Sequence, residues 1–468
     1  MPQITYVLGG GLAAKQLERL HEEAVGLVER VGLRVPHAES RRRAAEHDGV
    51  RIEGEWVRFE PAVVEAAVHR LRYPTELRQA DFDIIGGAYS LQTTDLQTGA
   101  VRPATAQDLI DCTRLTDALG MLGSAPVRPT DIRSPELQEV ALYRYSWEHS
   151  PRKSTGLLDA NPQSTVRVAE YVYEMAQAAG KDFSLGLWEV SPFGTTESEL
   201  EVICRFLERD VRLWVATMPI AGATAPIHLP GAYVQSLAEL LAGLALLHTL
   251  SPAAPIHALV IDSIRAYPFD MRYGTFVYGT PEDLLGTLIQ VQLNARYGIP
   301  VVAKSLLTTA KEPDAHAGAE KAAHTLAAAL AGARIFTNAG LLSVDEVFSP
   351  EQALIDREIV RYARRVCRGF EWSEETLAIG AIEEVARGGR RTFLDHDTTL
   401  ACFREAGFES ELLEHTMLQR WQEGGARSLR ERAREIARRM ISEQQYEPEA
   451  GIRRELERIW RAACAELS

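Results

Sequence analysis

A (β/α)8 (TIM) barrel carrying an N-terminal α/β extension and a C-terminal helical extension is the fold class predicted for this 468-residue sequence. Three observations predict it. A strand–helix rhythm repeats eight times between Met121 and Gly369. That span, roughly 250 residues, is the size of one such barrel. A doubly wound open sheet would show a Gly-rich phosphate turn after its first strand, and this chain has none. The division that follows is 1–120, an α/β lead-in; 121–369, the barrel; and 370–468, a helical extension.

In the lead-in, Leu17, Leu20, Ala24, Leu27 and Val28 keep helical spacing across Gln16–Val31, and Gly32 follows. Val50–Phe59 alternates as a strand, Pro61–Leu71 reads as a short helix with Pro at its start, and Asp83–Asp95 as one or two strands. Thr105 caps a helix that carries Asp108 in its first turn. Gly9–Gly11 has no preceding strand or matching fingerprint and reads as a flexible terminus.

The barrel strands are expected at Leu122–Val127, Lys153–Leu158, Phe183–Val190, Leu213–Pro219, Ile256–Asp262, Thr275–Tyr278, Val301–Leu306 and Arg334–Asn338. The helices between them are Pro135–His149, Pro162–Ala179, Glu197–Arg209, Ala232–Leu250, Pro281–Tyr297 and Ala315–Ala331, with Asp356–Cys367 after the last strand. The clearest unit runs from Gly298 to Leu342. There an apolar strand, a polar loop, an Ala- and Leu-rich helix stopped by Gly332, and a second apolar strand follow in turn. Beyond Gly369, Ser428–Ile441 and Glu447–Ala465 are Arg/Glu-rich helices with opposite charges four residues apart, read as a solvated or subunit-contacting appendage.

Composition narrows the function. Sixty-five acidic against 51 basic residues leave a formal net charge of -14, which a phosphate backbone would repel, so nucleic acid is not an expected partner. The five Cys stand singly, without metal-ligand spacing or a disulfide framework. The N-terminus lacks a basic region followed by an apolar one. The longest apolar stretch, Leu237–Leu250, is too short for a bilayer and carries Glu239 and His248. A cytoplasmic protein with no membrane partner is expected.

Chemistry in a parallel α/β barrel sits past the carboxyl ends of its strands. Those ends hold Trp188, Glu189 and Phe193; Asp262, then Tyr267, Phe269, Asp270 and Tyr273; Tyr278; Lys304; and Asn338. Aromatics are 7% of the chain, yet six cluster at three strand ends, where ring faces and Glu189 suit a ligand cation such as a quaternary ammonium. Packing alone also places Trp and Tyr at barrel mouths. Lys304 is suited to a Schiff base or to a carboxylate, and equally to a structural ion pair. The substrate-binding candidates are therefore Trp188, Glu189, Phe193, Tyr267, Phe269, Tyr278, Lys304 and Asn338; no catalytic acid, base or nucleophile is assigned.

No bound metal is expected. His316, Glu320 and His324 share a helix face, but eight residues separate the two His by about 12 Å along the axis, so a polar stripe is the reading. His396 lies in the tail, beside Asp395 and Asp397, and reads as a turn or subunit contact. P-loop, G-x-S-x-G and C-x-x-C motifs do not occur.

Six motifs in order carry a resemblance over nearly the full length: GLRVPHAE; DLQTGAVRPATAQDL; MPIAGATAPIHLPGA; AKEPDAHAGAEKA; AGLL followed by SPEQALIDREI; and FLDHDTTLACFR. On these the chain resembles the trimethylamine methyltransferase family, which includes glycine betaine:corrinoid methyltransferases. The resemblance implies a (β/α)8 barrel that moves a methyl group from a quaternary or tertiary methylated amine to Co(I) of a corrinoid (cobalamin) carried on a separate protein. The chain has standard residues only and no D-x-H-x-x-G loop. It is therefore similar to the branch without pyrrolysine, which favours quaternary amines, and its corrinoid would arrive on a partner. In that reading Lys304 holds the carboxylate of a betaine and Trp188 and Tyr267 flank its methylated nitrogen. A homo-oligomer is expected. The competing readings are a Schiff-base lyase using Lys304 and a non-catalytic quaternary-amine binder.

Overall fold

The computed structural model describes residues 3–72, 81–123, 125–152, 165–209, 211–251, 256–258 (backbone only) and 264–468. Helix α1 (Ala14–Arg30) buries Leu20, Ala24 and Val28, a stripe at four-residue spacing. A small antiparallel sheet of Leu33–Arg34, Val50–Glu53 and Trp56–Phe59 packs against it. The chain then contributes β1 (Leu71–Arg72) and β2 (Asp83–Gly86) to parallel sheets built mainly from later residues.

Helices α2 (Ala106–Ala118), α3 (Pro135–His149) and α4 (Val166–Ala179) follow. Next come β3 (Ser184–Glu189), α5 (Glu197–Phe206), β4 (Arg212–Thr217), α6 (Leu229–Leu250) and β5 (Ile256–Ala258). The hairpin β6 (Tyr267–Asp270) and β7 (Thr275–Phe276) precedes α7 (Pro281–Arg296), β8 (Val302–Ala303), α8 (Ala315–Leu330), β9 (Ile335–Ala339) and α9 (Pro350–Arg368). Most of these helices start where an Ser, Thr or Asp side chain accepts a first-turn N–H: Thr105, Ser134, Thr165, Thr196, Thr280, Asp314 and Ser349.

The result is a mixed α/β fold with two all-parallel arrays, β1-β5-β4-β3 and β8-β9-β2. Of the expected strand Leu122–Val127, Leu122 forms an isolated parallel bridge with Ile85 of β2 and Val127 one with Ser90 beyond it. The expected strand Lys153–Leu158 and the end of Ile256–Asp262 lie outside the described residues.

Thr275–Tyr278 differs from expectation. Its first half, β7, pairs antiparallel with β6, Phe269 opposite Phe276. The physical reason is length: four residues link the two, and a parallel partner needs a crossover of a dozen or more.

Helix α6 is longer than its apolar stretch suggested, because Pro230 sits in its first turn and extends the start to Leu229. By length and composition it is apolar enough to cross a membrane, yet 89% of its most apolar window is buried inside the protein. It is the central core helix, packed on α1 and on β4.

After α9 the chain forms α10 (Glu374–Leu377), α11 (Ile379–Ala386), α12 (Asp397–Ala406) and α13 (Leu418–Glu423), then α14 (Leu429–Glu443) and α15 (Ala450–Leu467). The two charged terminal helices are not merely solvated. Helix α14 packs on α9 and α2, burying Ala433 and Ala437, and α15 packs on α3 and α4, burying Leu456, Ile459 and Ala463.

Candidate functional site

The site is built at the carboxyl ends of the parallel strands. Beta-strand β6 begins at Tyr267, whose N–H bonds Pro219 O past the end of β4. The residue two before it, Arg265, is fully buried and donates to Asp283 at 2.6 Å. Asp283 in turn sits in the first turn of α7 and accepts the Gly279 N–H at 3.0 Å. This chain of bonds ties the start of β6 to the start of α7, and it places the Arg265 guanidinium 4.9 Å from the centre of the Tyr267 ring.

Around Tyr267 the rings interlock. Tyr278 meets it at 5.2 Å and 76°, and Phe276 meets Tyr278 at 5.4 Å and 76°, both edge-to-face geometries favoured by ring quadrupoles. Lys304, one residue past β8, donates from Nζ to the Tyr267 hydroxyl at 2.9 Å and lies 5.2 Å from the ring centre. Tyr267 and Tyr278 are almost fully buried and Lys304 is 9% exposed. A charged ammonium so enclosed needs acceptors or a counter-charge.

Asp345 supplies some of that field. Burial raises its carboxyl above the ordinary range, and the Lys304 ammonium pulls it back down. Asp345 is held by the loop after β9, where its carbonyl accepts from the Ser90 hydroxyl at 2.8 Å. The loops after β8 and β9 are themselves joined: Val344 N bonds Thr308 O at 2.9 Å and Ser343 N bonds Ala310 O at 2.7 Å.

Asn338 lies on β9 at φ +73°, a left-handed conformation that Asn tolerates better than most residues. The register with β2 shifts across it, between Thr337 and Ala339, and its side-chain oxygen accepts from Thr337 Oγ1 at 2.7 Å.

The structure therefore brings Tyr267, Tyr278 and Lys304 together. Trp188, at the end of β3, makes its ring contact with Trp214 on the neighbouring strand, 5.6 Å and 85°. Glu189 faces the other side of β3 from Trp188, as adjacent strand residues do. It is buried under α6, so close to Gly243 that a Cβ there would stand 2.2 Å from its Oε1. Burial first, then the neighbouring Glu239 carboxylate, raises its pKa well above the ordinary carboxylate value. Turned beneath α6, that carboxyl lies on the opposite side of β3 from Trp188.

Phe193 is buried at φ +52° and donates its N–H to Glu239 at 3.0 Å. Phe269 is half-buried opposite Phe276. Tyr273 is 79% exposed at the hairpin tip.

The sequence reading missed Arg265, Asp283, Phe276 and Asp345. Phe276 carried a signal, since it alternates with Tyr278; Arg265 and Asp283 carried none, because only the fold brings them together. The helix-face histidines separate: His316 pairs with Glu320 at 2.9 Å, whereas His324 is buried against Thr287 at 2.7 Å, so the polar-stripe reading fails for His324. Among the described residues no group of three His, Cys, Asp or Glu is placed to hold a metal ion.

A sequence profile of the family described as "Trimethylamine methyltransferase (MTTB)" matches residues 10–459. The chain belongs to the trimethylamine methyltransferase family. Within it, the chain is 26% identical to the trimethylamine methyltransferase MttB of Desulfitobacterium hafniense, over 95% of this chain and 92% of that one. It is 25% identical to a glycine betaine methyltransferase of the same species, over 81% of each. It is 29% identical to trimethylamine methyltransferase MttB of Methanosarcina thermophila, over 57% of this chain and 54% of that one. The match thus spans about half the length of this methanogen relative. The crystal structure of the Methanosarcina barkeri monomethylamine methyltransferase MtmB is similar at a TM-score of 0.44 and 12% identity, over 93% of this chain and 88% of that one.

Proposed function

We propose that this chain is a methyltransferase that takes a methyl group from a betaine-like methylated amine and passes it to the Co(I) of a corrinoid borne by a separate protein. The observation that carries the reading is the contact of Lys304 with Tyr267 at the strand ends, with Tyr278 and Phe276 alongside. A betaine has two charged ends. Lys304 suits the carboxylate, and ring faces at the strand ends suit the methylated nitrogen. The same lysine disfavours a bare trimethylammonium, because like charges in a buried site repel. The glycine betaine relative supports the same donor class.

The corrinoid supplies the nucleophile that accepts the methyl group. What this chain's residues do is bind and orient the donor and exclude water from it. The leaving group from a quaternary ammonium is a neutral amine, so no proton need be delivered to it.

The finer architecture belongs to the same proposal. The parallel segments close as a (β/α)8 barrel, 1–120 serves as an α/β lead-in that lends β1 and β2, and 370–468 is a helical extension. The test is a panel of methylated amines incubated with reduced cobalamin, following the conversion of Co(I) to methyl-Co(III) by its spectrum. A response to betaines supports the reading. No response to any methylated amine, or borohydride trapping of a carbonyl ligand on Lys304, overturns it.

A further inference from the structure

Residues 444–449 join α14 to α15 and are fastened at their start to the carboxyl ends of α2 and α3. Gln444 Nε2 donates to Asp117 Oδ2 at 2.8 Å and to His149 O at 3.2 Å. Two cavities adjoin this linker. One, of about 500 Å³, reaches from Leu96 and Gln97 to Arg438 and Tyr446. The other, of about 450 Å³, reaches from Arg144 and His149 to Arg453 and Arg461. Arg114 of α2, Tyr446 and Glu447 line both, so the two make one cleft.

Charge around the cleft cancels pair by pair, with one remainder. Glu148 and Glu457 both hold Arg144, at 3.2 and 2.6 Å. Glu457 also holds Arg461 at 2.7 Å, and Glu447 holds Arg453 at 2.6 Å. Asp111, one turn before Arg114 on α2, accepts instead from Gln107 at 3.0 Å. The Arg114 field reaches Asp111, but burial has the larger effect and raises that carboxyl. Among the described residues no carboxylate is in ion-pair contact with Arg114, and its Nε is buried without an acceptor.

His149 senses the same excess. Its Nδ1 is buried without a partner. Burial first, then the positive fields of Arg114, Arg453 and Arg144, lower its pKa to about 4 from 6.5, with Glu447 opposing them. Three guanidinium fields thus converge on one enclosed imidazole. A guanidinium with unused, enclosed donors needs an acceptor, and its planar fork of N–H groups fits an oxyanion through two parallel bonds. The chain as a whole carries a formal charge of -14, so a cation left over in a cleft is a local exception that concentrates anions there.

We propose that this cleft binds a small oxyanion, a phosphate ester or a polycarboxylate, whose charged group is held by Arg114 with His149 and Tyr446 beside it. Both classes present the same pair of oxygens to a guanidinium. The volume suits a metabolite rather than a bare ion. The cleft shares no lining residue with the strand-end site around Lys304. It lies between α2 and α3 on one side and the α14–α15 linker on the other, so a bound anion ties the C-terminal helices to the body.

Titration calorimetry of the full chain with inorganic phosphate, pyrophosphate and citrate tests this, with the His149 imidazole resonance followed in parallel and identified by its loss in His149→Gln. The wild type is expected to bind at least one of the three at millimolar concentration or below and to shift that resonance. Either order of affinity supports the site: pyrophosphate ahead of citrate points to a phosphate ester, and the reverse to a polycarboxylate. Arg114→Met should weaken binding by at least about 10-fold. It should leave the thermal unfolding of the ligand-free chain near that of wild type, since the guanidinium has no ion pair to lose. Lys304→Ala should leave the anion affinity unchanged. Failure of all three anions to bind overturns the proposal. So does binding that survives Arg114→Met, or binding that Lys304→Ala abolishes, which puts the anion at the strand ends instead.

Discussion

Lys321 Nζ and Asp356 Oδ2 meet at 2.8 Å with both side chains fully buried. They join α8 to α9 directly behind the loop that follows β9. Lys321 also donates to Leu341 O at 2.8 Å, and Asp356 accepts the Gly340 N–H at 2.7 Å and a Gln352 amide N–H at 2.8 Å. Burial pushes the lysine down and the carboxyl up, and their attraction opposes both shifts. The pair is a clamp on the turn from which Asp345 reaches toward Lys304.

Breaking the clamp on one side should be costly. Lys321→Met leaves a buried carboxylate without its counter-charge and should destabilise the fold by about 3–5 kcal/mol. Lys321→Met with Asp356→Leu removes both charges and should recover most of that loss. Urea denaturation of the two variants beside the wild type checks the order.

Lys304→Ala should weaken binding of a carboxylated betaine by roughly 10- to 150-fold, the worth of a charge-assisted hydrogen bond. It should leave a quaternary amine without a carboxylate bound as well as before, or better. Titration calorimetry with the two ligand types reads the difference; equal affinity of wild type and variant for betaines removes Lys304 from the substrate.

Glu189 sets an alkaline dependence. Its folded pKa lies above the ordinary carboxylate value, through burial and the Glu239 charge. The folded state therefore holds this proton more tightly than the unfolded chain. Its contribution is complete below about pH 4.3, the unfolded carboxylate value, and is lost as pH rises through the folded value. Glu189→Gln should be more stable than wild type at pH 8 by at least about 1 kcal/mol and should show little gain at pH 4. Chemical denaturation at the two pH values checks this.

His324 works in the opposite direction. Burial lowers it to about 4 from 6.5, so the unfolded chain takes up the proton first as pH falls. The stability it contributes is complete above pH 6.5 and is lost toward pH 4, roughly 3 kcal/mol in all. His324→Gln should flatten that acid limb in thermal unfolding measured from pH 7 to pH 4.

Some of this was legible from local pattern. The strand–helix alternation, the capped helix starts and the Gly298–Leu342 unit stand close to where spacing placed them. Lys304 and Tyr267 were named from their positions after strands, and they touch. Other features were not readable locally. Thr275–Tyr278 looks like a strand and is one, but pairing direction depends on connection length and on what lies opposite. Trp188 and Glu189 are neighbours in sequence and face opposite ways across β3, so one lies against Trp214 and the other against α6.

Periodicity, capping and strand-end position are properties of short stretches, and the sequence by itself determined those: the α/β class, most element boundaries, the family motifs and the polar or aromatic residues available to a site. Tertiary structure alone decided which of them meet. Arg265 finds Asp283 18 residues on, Lys321 finds Asp356 35 residues on, and Lys304 finds Tyr267 37 residues back. Such pairs form because an enclosed charge must find a partner, and which partner is in reach depends on how helices and strands pack, not on the residues beside it in the chain.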